Sequence, residues 1–519
     1  MTPVLKKKSR MLLLCLLLVA LLLLGLRLAG EYKFTPKPEQ SALLTVSEGQ
    51  LKSSIDTALA EGKGNNLYIP LSDARLALLS RMLLARYASQ TIDLQYYLFH
   101  DDESGRALLG ELIAAAQRGV KVRLLLDDMD TVGRDGLFIR LVQDIPNLQV
   151  RVFNPALLRS VRIPEYLARF PRVTRRMHNK SITADGIATI VGGRNVGNEY
   201  FHLQSKVAFA DFDVLAGGPI ALAVNQVFEQ YWSSGLAFDM HTLNAPASDQ
   251  AYQSWRTQVD TDTAAFQRNI AQEAGSLAVQ KLVEGSVQPY YDGGRVLSDP
   301  PAKVISSLFD QSNNMVSELI PLLDSTQHEL LISSPYFIPG KAGMALLKRL
   351  RERGVQVTIL SNSLRANDVL AVHAGYKQYR KELLELGVRL YELRRQPGQE
   401  NHYTLLGSSH ASLHAKSFLL DHQRLFVGSF NLDPRSAIHN TEMGIVFDSA
   451  DYAGLIYQQL DQYLAANAYR LELNEAGALR WYGAAQEGGM ETFTQDPGAS
   501  WWELALVTVI SWLPVEWLL

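Results

Sequence analysis

The chain contains the stretch HNKSITAD at residues 178–185 and a related stretch, HAKSFLLD, at residues 414–421. Histidine, lysine and aspartate occupy the same positions in both copies, which lie 236 residues apart. A glycine and an asparagine follow each copy at the same spacing, as Gly192 and Asn195 and as Gly428 and Asn431. Polar residues repeated in one register require a common geometric cause, so we expect both copies to serve one site.

The sequence before each copy also repeats. An aromatic-rich alternating segment at 92–99, a helical pattern at 108–117 and an apolar run at 118–126 recur as residues 330–337, 344–353 and 354–360. This repeat is too long for a solenoid and predicts a duplicated α/β domain. We expect two similar lobes, each a mixed, mostly parallel sheet flanked by helices, with one active site between them.

The composition agrees with a duplicated domain. A chain of 519 residues with 47% hydrophobic residues can bury two full cores. The predicted domains are an N-terminal signal anchor (1–30), a first lobe (31–240), a polar linker with some helix (241–302), a second lobe (303–475) and a Trp-rich tail (476–519).

The two ends of the chain suggest membrane contact. Basic residues at 6–10 precede an apolar run at 11–26, which is typical of an uncleaved anchor or a cleaved secretory signal. The run ends in Arg27-Leu28-Ala29, a poor cleavage site, which favours the anchor. Basic residues tend to stay in the cytoplasm, which predicts a single-pass protein of the bacterial inner membrane with a periplasmic catalytic part. The tail, with four tryptophans from 501 on, fits either the membrane interface or a helix packed on the second lobe.

Charge and cysteine content exclude other classes. The formal net charge is −3, so the molecule as a whole is not built to coat nucleic acid. The single cysteine, Cys15, lies in the apolar run and supports neither an internal disulfide nor a cysteine-based metal site.

The repeated residues suit a phosphodiester substrate. Lys180, Lys416, Asn195 and Asn431 could hold the non-bridging oxygens and stabilise developing negative charge without a metal ion. Of two histidines, one can attack phosphorus while the other protonates the leaving alkoxide. Each histidine also needs a partner that orients its ring. We expect Glu442 to orient His414 and, by alignment of the two halves, Asp211 to orient His178.

The complete, paired motif resembles the phospholipase D superfamily, and residues 428–436 with the Trp-rich tail are similar to bacterial cardiolipin synthases of the C type. The resemblance implies a phosphatidyl-histidine intermediate, no metal or other cofactor, phosphatidylethanolamine as donor and phosphatidylglycerol as acceptor. It implies a catalytic set of His178, Lys180, Asp185, His414, Lys416 and Asp421, with His178 the nucleophile. From their turn positions alone, Asp185 and Asp421 would be structural. An accessory protein is compatible with this interpretation.

Several alternatives remain open. Arginines between 159 and 176 could attract anionic lipid, line a nucleic-acid groove or form a solvated loop. Asp101-Asp102 and Asp127-Asp128 follow predicted strands and are expected to be solvated turn residues and not cation ligands. Hydrolysis of phospholipids and a membrane-tethered nuclease are the competing functions, while a non-enzymatic scaffold would not keep both motif copies intact.

Overall fold

The computed structural model describes residues 3–35, 46, 48–159, 161–201, 211–273, 289–307, 313–367, 369–395, 413–485, 489–513 and 516. Within these residues the chain forms two lobes, each a mixed sheet flanked by helices. The duplicated α/β architecture expected from the repeat is therefore confirmed.

The first lobe follows a long N-terminal helix. Its helices and strands are, in chain order, α1 Pro3–Lys33, α2 Gln50–Gly62, β1 Asn66–Leu71, α3 Ala74–Tyr87, β2 Thr91–Tyr96, α4 Glu103–Gln117, β3 Lys121–Asp127, α5 Asp135–Asp144, β4 Leu148–Phe153, α6 Ile163–Val173, β5 Ser181–Ala184, β6 Ala188–Gly192, α7 Asn198–Phe201, β7 Asp213–Gly217, α8 Pro219–Ser233, β8 Ala237–Asp239, α9 Asp249–Glu273 and β9 Tyr290–Asp292. The strand order is β8-β4-β3-β2-β5-β6-β7-β1-β9.

The second lobe repeats the central part of this arrangement. Its elements are β10 Gly294–Ser298, α10 Val316–Asp324, β11 Glu329–Ser333, α11 Gly340–Glu352, β12 Gln356–Asn362, α12 Leu370–Lys377, α13 Arg380–Glu385, β13 Arg389–Leu393, β14 Ser417–Leu420, β15 Arg424–Gly428, β16 Met443–Asp448, α14 Ala450–Asn467, β17 Ala468–Leu473, β18 Leu479–Ala484, β19 Met490–Phe493 and α15 Trp501–Ser511. The strand order is β10-β16-β15-β14-β11-β12-β13-β17-β18-β19.

The sheets are less parallel than the sequence predicts. Among the described strands, the parallel ones are three neighbours in each lobe, β2-β3-β4 and β11-β12-β13. The crossing helices α4 and α11 permit parallel pairing there, whereas the short connections between β5 and β6 and between β14 and β15 permit only antiparallel hairpins. These hairpins carry the two motif copies.

The two sheets pack on each other through a shared apolar core. Val191 and Val214 of the first lobe belong to one buried cluster with Val427 and Ile445 of the second. The contact involves β6 with β15 and β16. It therefore joins the hairpins that follow the two motif copies and sets the position of one copy relative to the other.

The predicted linker, residues 241–302, contains more structure than expected. Helix α9 packs along α4 of the first lobe. Strand β9 pairs with β1, and β10 pairs with β16. The segment between the lobes thus adds a helix and a strand to the first lobe and a strand to the second.

The helices at the two ends differ in their surroundings. Within the Met11–Lys33 portion of α1, an 18-residue window has a mean hydropathy of 2.8, and the helix is long and apolar enough to cross a membrane. Helix α15 packs on α12 through Val507, Leu370 and Ala374. Its outer face nevertheless leaves Trp501 and Trp512 exposed.

Candidate active site

The two motif copies meet where the lobes join. His178 and Lys180 immediately precede β5, and His414 and Lys416 immediately precede β14, so these side chains lie in extended chain before the strands and not within them. The backbone N–H of His178 donates to the Thr441 carbonyl over 2.9 Å, and the N–H of Thr441 donates to the Arg176 carbonyl over 2.9 Å. This bridge fixes the first copy directly to the second lobe.

The carboxylates that orient the histidines are exchanged relative to the prediction. His178 Nδ1 lies 2.9 Å from Glu442 Oε2, and His414 Nδ1 lies 2.7 Å from Asp211 Oδ2. The expected pairs, Glu442 with His414 and Asp211 with His178, are therefore wrong. Glu442 and Asp211 do orient histidines, but each acts across the interface on the other lobe's ring.

Sheet geometry explains the exchange. Within the first lobe, His178 precedes β5 and Asp211 precedes β7, and β6 separates these strands. Two strand spacings amount to about 10 Å, which is too far for a hydrogen bond. Face-to-face packing of the sheets instead brings the start of β16, with Glu442, against His178. Alignment of the two halves of the sequence carries no information about this packing.

Further residues hold the two carboxylates. Ser429 Oγ donates to Glu442 Oε2 over 2.5 Å, and the backbone N–H of Glu442 donates to Asp299 Oδ2 over 2.9 Å. Asp299 is itself paired with Lys303 over 2.8 Å. On the other side, Arg194 Nη2 donates to the Asp211 carbonyl over 2.7 Å. The sequence pattern does not single out these four residues as part of the site, although Ser429 and Arg194 stand within the two Gly-x-x-Asn repeats.

Burial and neighbouring cations keep both imidazoles neutral. The pKa of His178 lies well below its usual value because the ring is buried and Lys180, Lys416 and Arg435 are close. Burial and Lys416 lower the pKa of His414 to about 4, although Asp211 opposes the shift. The lysine of each lobe also lowers the pKa of the histidine in the other lobe. His178, Lys180, His414 and Lys416 therefore form one buried cluster where the lobes join, and this cluster lines the candidate cleft.

The pKa values of the two carboxylates shift in opposite directions. Burial raises the pKa of Glu442 to about 7, with Lys180 opposing the shift. Burial would also raise the pKa of Asp211, but His414, Arg194 and Lys416 outweigh it and hold this pKa below its usual value. Asp211 is thus the firmly ionised carboxylate, and it faces His414. The half-sites are similar in geometry but not in electrostatics.

The lysines line the cleft beside the histidines. Lys180 Nζ donates to the His178 carbonyl over 2.7 Å, and Lys416 Nζ donates to the His414 carbonyl over 2.6 Å. Both side chains are buried, and burial lowers the pKa of Lys180 well below its usual value. An anionic group entering the cleft would be attracted by both ammonium groups and would favour their charged forms.

The two asparagines have different surroundings. Asn195 donates to the Tyr200 hydroxyl over 2.9 Å and accepts from the Leu98 N–H over 3.3 Å. The buried Oδ1 of Asn431 has no hydrogen-bond partner among the described residues. Asn195 is therefore tied into the fold, whereas Asn431 keeps a polar atom that a ligand could satisfy.

Two tyrosines that the sequence analysis did not single out pack on the histidines. The rings of Tyr97 and His178 meet edge to face with 5.1 Å between centroids, and those of Tyr200 and His414 do so at 5.3 Å. The Lys180 ammonium also lies 5.7 Å from the Tyr97 ring centroid. These contacts restrict rotation of the imidazoles and help to exclude water from the cleft.

The motif aspartates lie away from the cleft, so their place in the catalytic set is wrong and their turn positions give the better prediction. Asp185 and Asp421 occupy left-handed turns, with φ of 56° and 52°, at the far ends of β5 and β14. Asp185 accepts hydrogen bonds from the backbone N–H groups of Ser89, Gln90 and Thr91 and from the Ser89 hydroxyl. Asp421 accepts from the N–H groups at 327, 328 and 329. Each clamps the hairpin turn to the start of a neighbouring strand.

The acidic and basic segments near the site are neither solvated nor free. Asp127 accepts from the Met177 N–H over 2.8 Å and pairs with Arg176, while Asp128 pairs with Arg159 and Arg162. Both aspartates are buried, as are Arg159, Arg169, Arg175 and Arg176. Asp102 likewise caps α4. The expectation of solvated turn residues is therefore wrong for Asp127 and Asp128, and most of the arginines face the protein, not lipid.

Comparisons with known proteins agree with this geometry. Residues 83–232 and 319–466 each match the family model described as the PLD-like domain of cardiolipin synthase. The chain is 39% identical over 481 residues to cardiolipin synthase C of Escherichia coli (strain K12), an alignment that covers 91% of this chain and 100% of that relative. It is 24% identical over 397 residues to cardiolipin synthase B of the same strain, covering 76% and 79% of the two chains.

A solved structure shares the fold. The crystal structure of phosphatidylserine synthase from Haemophilus influenzae Rd KW20 superposes with a TM-score of 0.54 at 15% identity and covers 82% of this chain and 92% of that one. The relatives and the apolar helix α1 are consistent with a bacterial inner-membrane protein. The chain belongs to the cardiolipin synthase family of the phospholipase D superfamily and is a phospholipase D-type phosphatidyltransferase that acts on phospholipids.

Proposed function

We propose that the enzyme transfers a phosphatidyl group from phosphatidylethanolamine to phosphatidylglycerol through a covalent phosphohistidine, yielding cardiolipin and ethanolamine. One observation carries the proposal. His178 and His414 contact their carboxylates through Nδ1, so in each ring Nε2 is the nitrogen directed to phosphorus. Such a pair can act in turn as nucleophile and as proton carrier.

We infer that His178 is the nucleophile in the first step. Its Nε2 attacks phosphorus, the bond from phosphorus to the ethanolamine oxygen breaks, and His414 donates a proton to that oxygen. The cations that lower the pKa of His178 support a neutral, attacking ring. The ionised Asp211 beside His414 supports a ring that carries a proton once the anionic substrate is bound. Lys180, Lys416 and the side-chain NH2 group of Asn431 would stabilise the oxygens of the transition state.

The second step reverses these roles. A hydroxyl of the phosphatidylglycerol headgroup attacks the phosphatidyl-His178 phosphorus, His414 accepts the hydroxyl proton, and the phosphorus–nitrogen bond breaks. The histidines return to their starting states, so the overall exchange of two alcohols is balanced. The buried cleft favours transfer over hydrolysis because His178, Lys180, His414 and Lys416 are all shielded from bulk water.

Isotope transfer tests this reaction. The full-length protein would be reconstituted in vesicles that contain phosphatidylethanolamine labelled in its acyl chains and unlabelled phosphatidylglycerol, and the lipids would be measured by mass spectrometry. We expect cardiolipin with one labelled phosphatidyl unit, one ethanolamine released per cardiolipin, and neither product with His178→Ala. Labelled phosphatidic acid alone would indicate hydrolysis. Cleavage of single-stranded DNA without any change in the lipids would indicate a nuclease.

We also propose that α1 anchors the chain with its N-terminus in the cytoplasm and both lobes in the periplasm, and that the exposed tryptophans of α15 contact the membrane interface. The basic residues before the apolar run support the orientation. Trp501, Trp512 and Leu513 on the outer side of α15 support the contact. Protease added to intact spheroplasts should digest the lobes, whereas protection until lysis would reverse the orientation.

A further inference from the structure

Helix α6, Ile163–Val173, is kinked at Arg169 and has the opposite polarity to a helix that faces water. Two of its three charged residues, Glu165 and Arg169, are 1% and 4% exposed and pair with each other, and the third, Arg172, is half-buried. Glu165 also accepts the backbone N–H groups at 157 and 158. By contrast, Ile163 is 74% and Leu167 69% exposed. A helix on a water-facing surface would bury its apolar side chains and expose its charges.

The exposed apolar surface extends beyond these two residues. Val161 and Phe170 are also exposed, and Pro171 follows them on the surface. Ile305 is also exposed. The carbonyls of the nearby residues Lys303 and Ser306 accept hydrogen bonds from Arg175, which follows α6 in the chain. Single exposed apolar residues are common, but a run of this kind over one helix marks a contact surface.

The spanning helix α1 ends on α6. The Phe34 carbonyl accepts from Arg172 Nη2 over 3.2 Å, and the Arg169 guanidinium lies 5.4 Å from the centroid of the buried Phe34 ring. Gly30 packs so closely on Arg169 that a Cβ at this position would overlap its guanidinium. Because α1 is continuous from the apolar run to these contacts and rises only 1.5 Å per residue, its proposed membrane span places the membrane surface close to α6.

The same segment leads directly into the active site. The chain leaves α6 at Val173 and reaches His178 five residues later, with Arg176 bonded to Asp127 on the way. The Thr174 carbonyl accepts from Arg435 Nη2 of the second lobe over 3.2 Å. Tyr166 of α6 lies close enough to Tyr97 to contribute to the raised pKa of that tyrosine, and the Tyr97 ring contacts His178. The position of α6 in a membrane would therefore set the height of the cleft above the lipid headgroups.

We propose that α6 is a membrane-binding helix that lies in the interface of the leaflet from which α1 emerges, with Val161, Ile163, Leu167 and Phe170 inserted at the boundary between headgroups and acyl chains. A bilayer is the occupant because the apolar face continues from the end of the spanning helix, and its buried ion pairs remove the charges that would oppose insertion. The inference concerns the delivery of phospholipid to the cleft and does not depend on which donor or acceptor is used.

Site-specific fluorescence tests the insertion without requiring turnover. Because Cys15 is the only cysteine, a Cys15→Ser background allows one labelled position at a time. The full chain with Leu167→Cys, labelled with the polarity-sensitive dye NBD, would be reconstituted in phosphatidylethanolamine–phosphatidylglycerol vesicles. Leu455→Cys, at an exposed leucine of α14, is the matched control. We expect blue-shifted emission, quenched by spin-labelled lipid, at 167 and water-like emission at 455. Water-like, unquenched emission at 167 would overturn the proposal.

A charge substitution tests the consequence for lipid access. Leu167→Glu alters a side chain that is exposed in the folded protein, so the fold should tolerate it. We expect Leu167→Glu to lower activity about tenfold more on lipids in vesicles than on detergent-dispersed lipids. The reason is that a carboxylate at this position removes the free energy gained by burying a leucine in the membrane interface. Leu455→Glu should show no such difference. Equal loss in both assays, or no loss in vesicles, would refute the role of α6.

Discussion

Replacing Asp185 with Asn should destabilise the first lobe while leaving its chemistry largely intact. The carboxylate accepts three backbone N–H groups and one hydroxyl at 2.8–2.9 Å. An amide can accept through one atom only, so its NH2 group would face a donor that has lost its acceptor. Asn tolerates the left-handed conformation at this turn, so backbone strain does not complicate the change.

The expected loss follows from these contacts. One backbone donor without its acceptor costs about 1–3 kcal/mol, and the bonds that remain weaken because the acceptor is no longer charged. Ser89 and Gln90 are exposed and can bind water instead, which reduces the loss. We therefore expect about 2–3 kcal/mol, a fall in Tm of roughly 4–12 °C for a unit of this size. Asp421→Asn, at a more exposed site with three donors, should cost only about 1 kcal/mol.

Differential scanning fluorimetry in detergent would measure both Tm values, and kcat at a temperature below either transition would measure the chemistry. The structural account requires a larger Tm shift for Asp185→Asn than for Asp421→Asn, with kcat of the folded enzymes within about threefold of wild type. An unchanged Tm together with a kcat lower by about a hundredfold or more would show that Asp185 takes part in catalysis, and would refute the assignment.

Three further predictions concern the cleft. The pKa of Glu442 is raised to about 7 and the ionised form orients His178, so kcat/KM should rise with pH through about 7. Glu442→Gln should lower kcat/KM by about 10²–10⁴ and abolish this rise with pH. An unaltered pH profile would contradict the pairing of Glu442 with His178. A Cβ at Gly193 would overlap Asp211 Oδ1, so Gly193→Ala should displace the Asp211 carboxylate from His414. We expect kcat to fall at least about tenfold with little change in Tm. Gly454→Ala is the control, because a Cβ there meets no atom within 4 Å, and it should change neither kcat nor Tm. Lys416→Met should lower kcat by about 10²-fold or more. Lys416→Arg should restore kcat only in part, because the buried ammonium donates to the His414 carbonyl. A near-wild-type kcat for Lys416→Met would argue against electrostatic stabilisation by this lysine.

The sequence predicted what is local and repeated. The paired His-x-Lys copies in one register indicated a duplicated lobe and a shared cleft, because no other geometry would require polar residues at that spacing. The turn positions of Asp185 and Asp421 also indicated structural roles. The first inference depends on an internal repeat and the second on turn chemistry, both of which a sequence expresses directly.

Properties that depend on packing could not be predicted in this way. The exchange of Glu442 and Asp211 between the histidines arises from the face-to-face contact of two sheets, which leaves no periodic signal in either half. The arginines near 159–176 resemble a solvated basic loop until their buried partners, Asp128, Asp135 and Glu165, are known. Among the described strands, antiparallel pairs outnumber parallel pairs. An apolar run predicts a buried strand but does not determine the direction of the strands beside it.

Trapping the covalent intermediate tests the central claim most directly. The full-length His414→Asn variant would be incubated with a phosphatidyl ester whose leaving group is better than ethanolamine. The reaction would then be quenched, and the protein would be digested at neutral pH and analysed by mass spectrometry. The account predicts a phosphatidyl adduct on the peptide that contains His178, and none in the His178→Asn variant. An adduct on His414 in wild-type enzyme, or continued cardiolipin formation by His178→Asn, would contradict it.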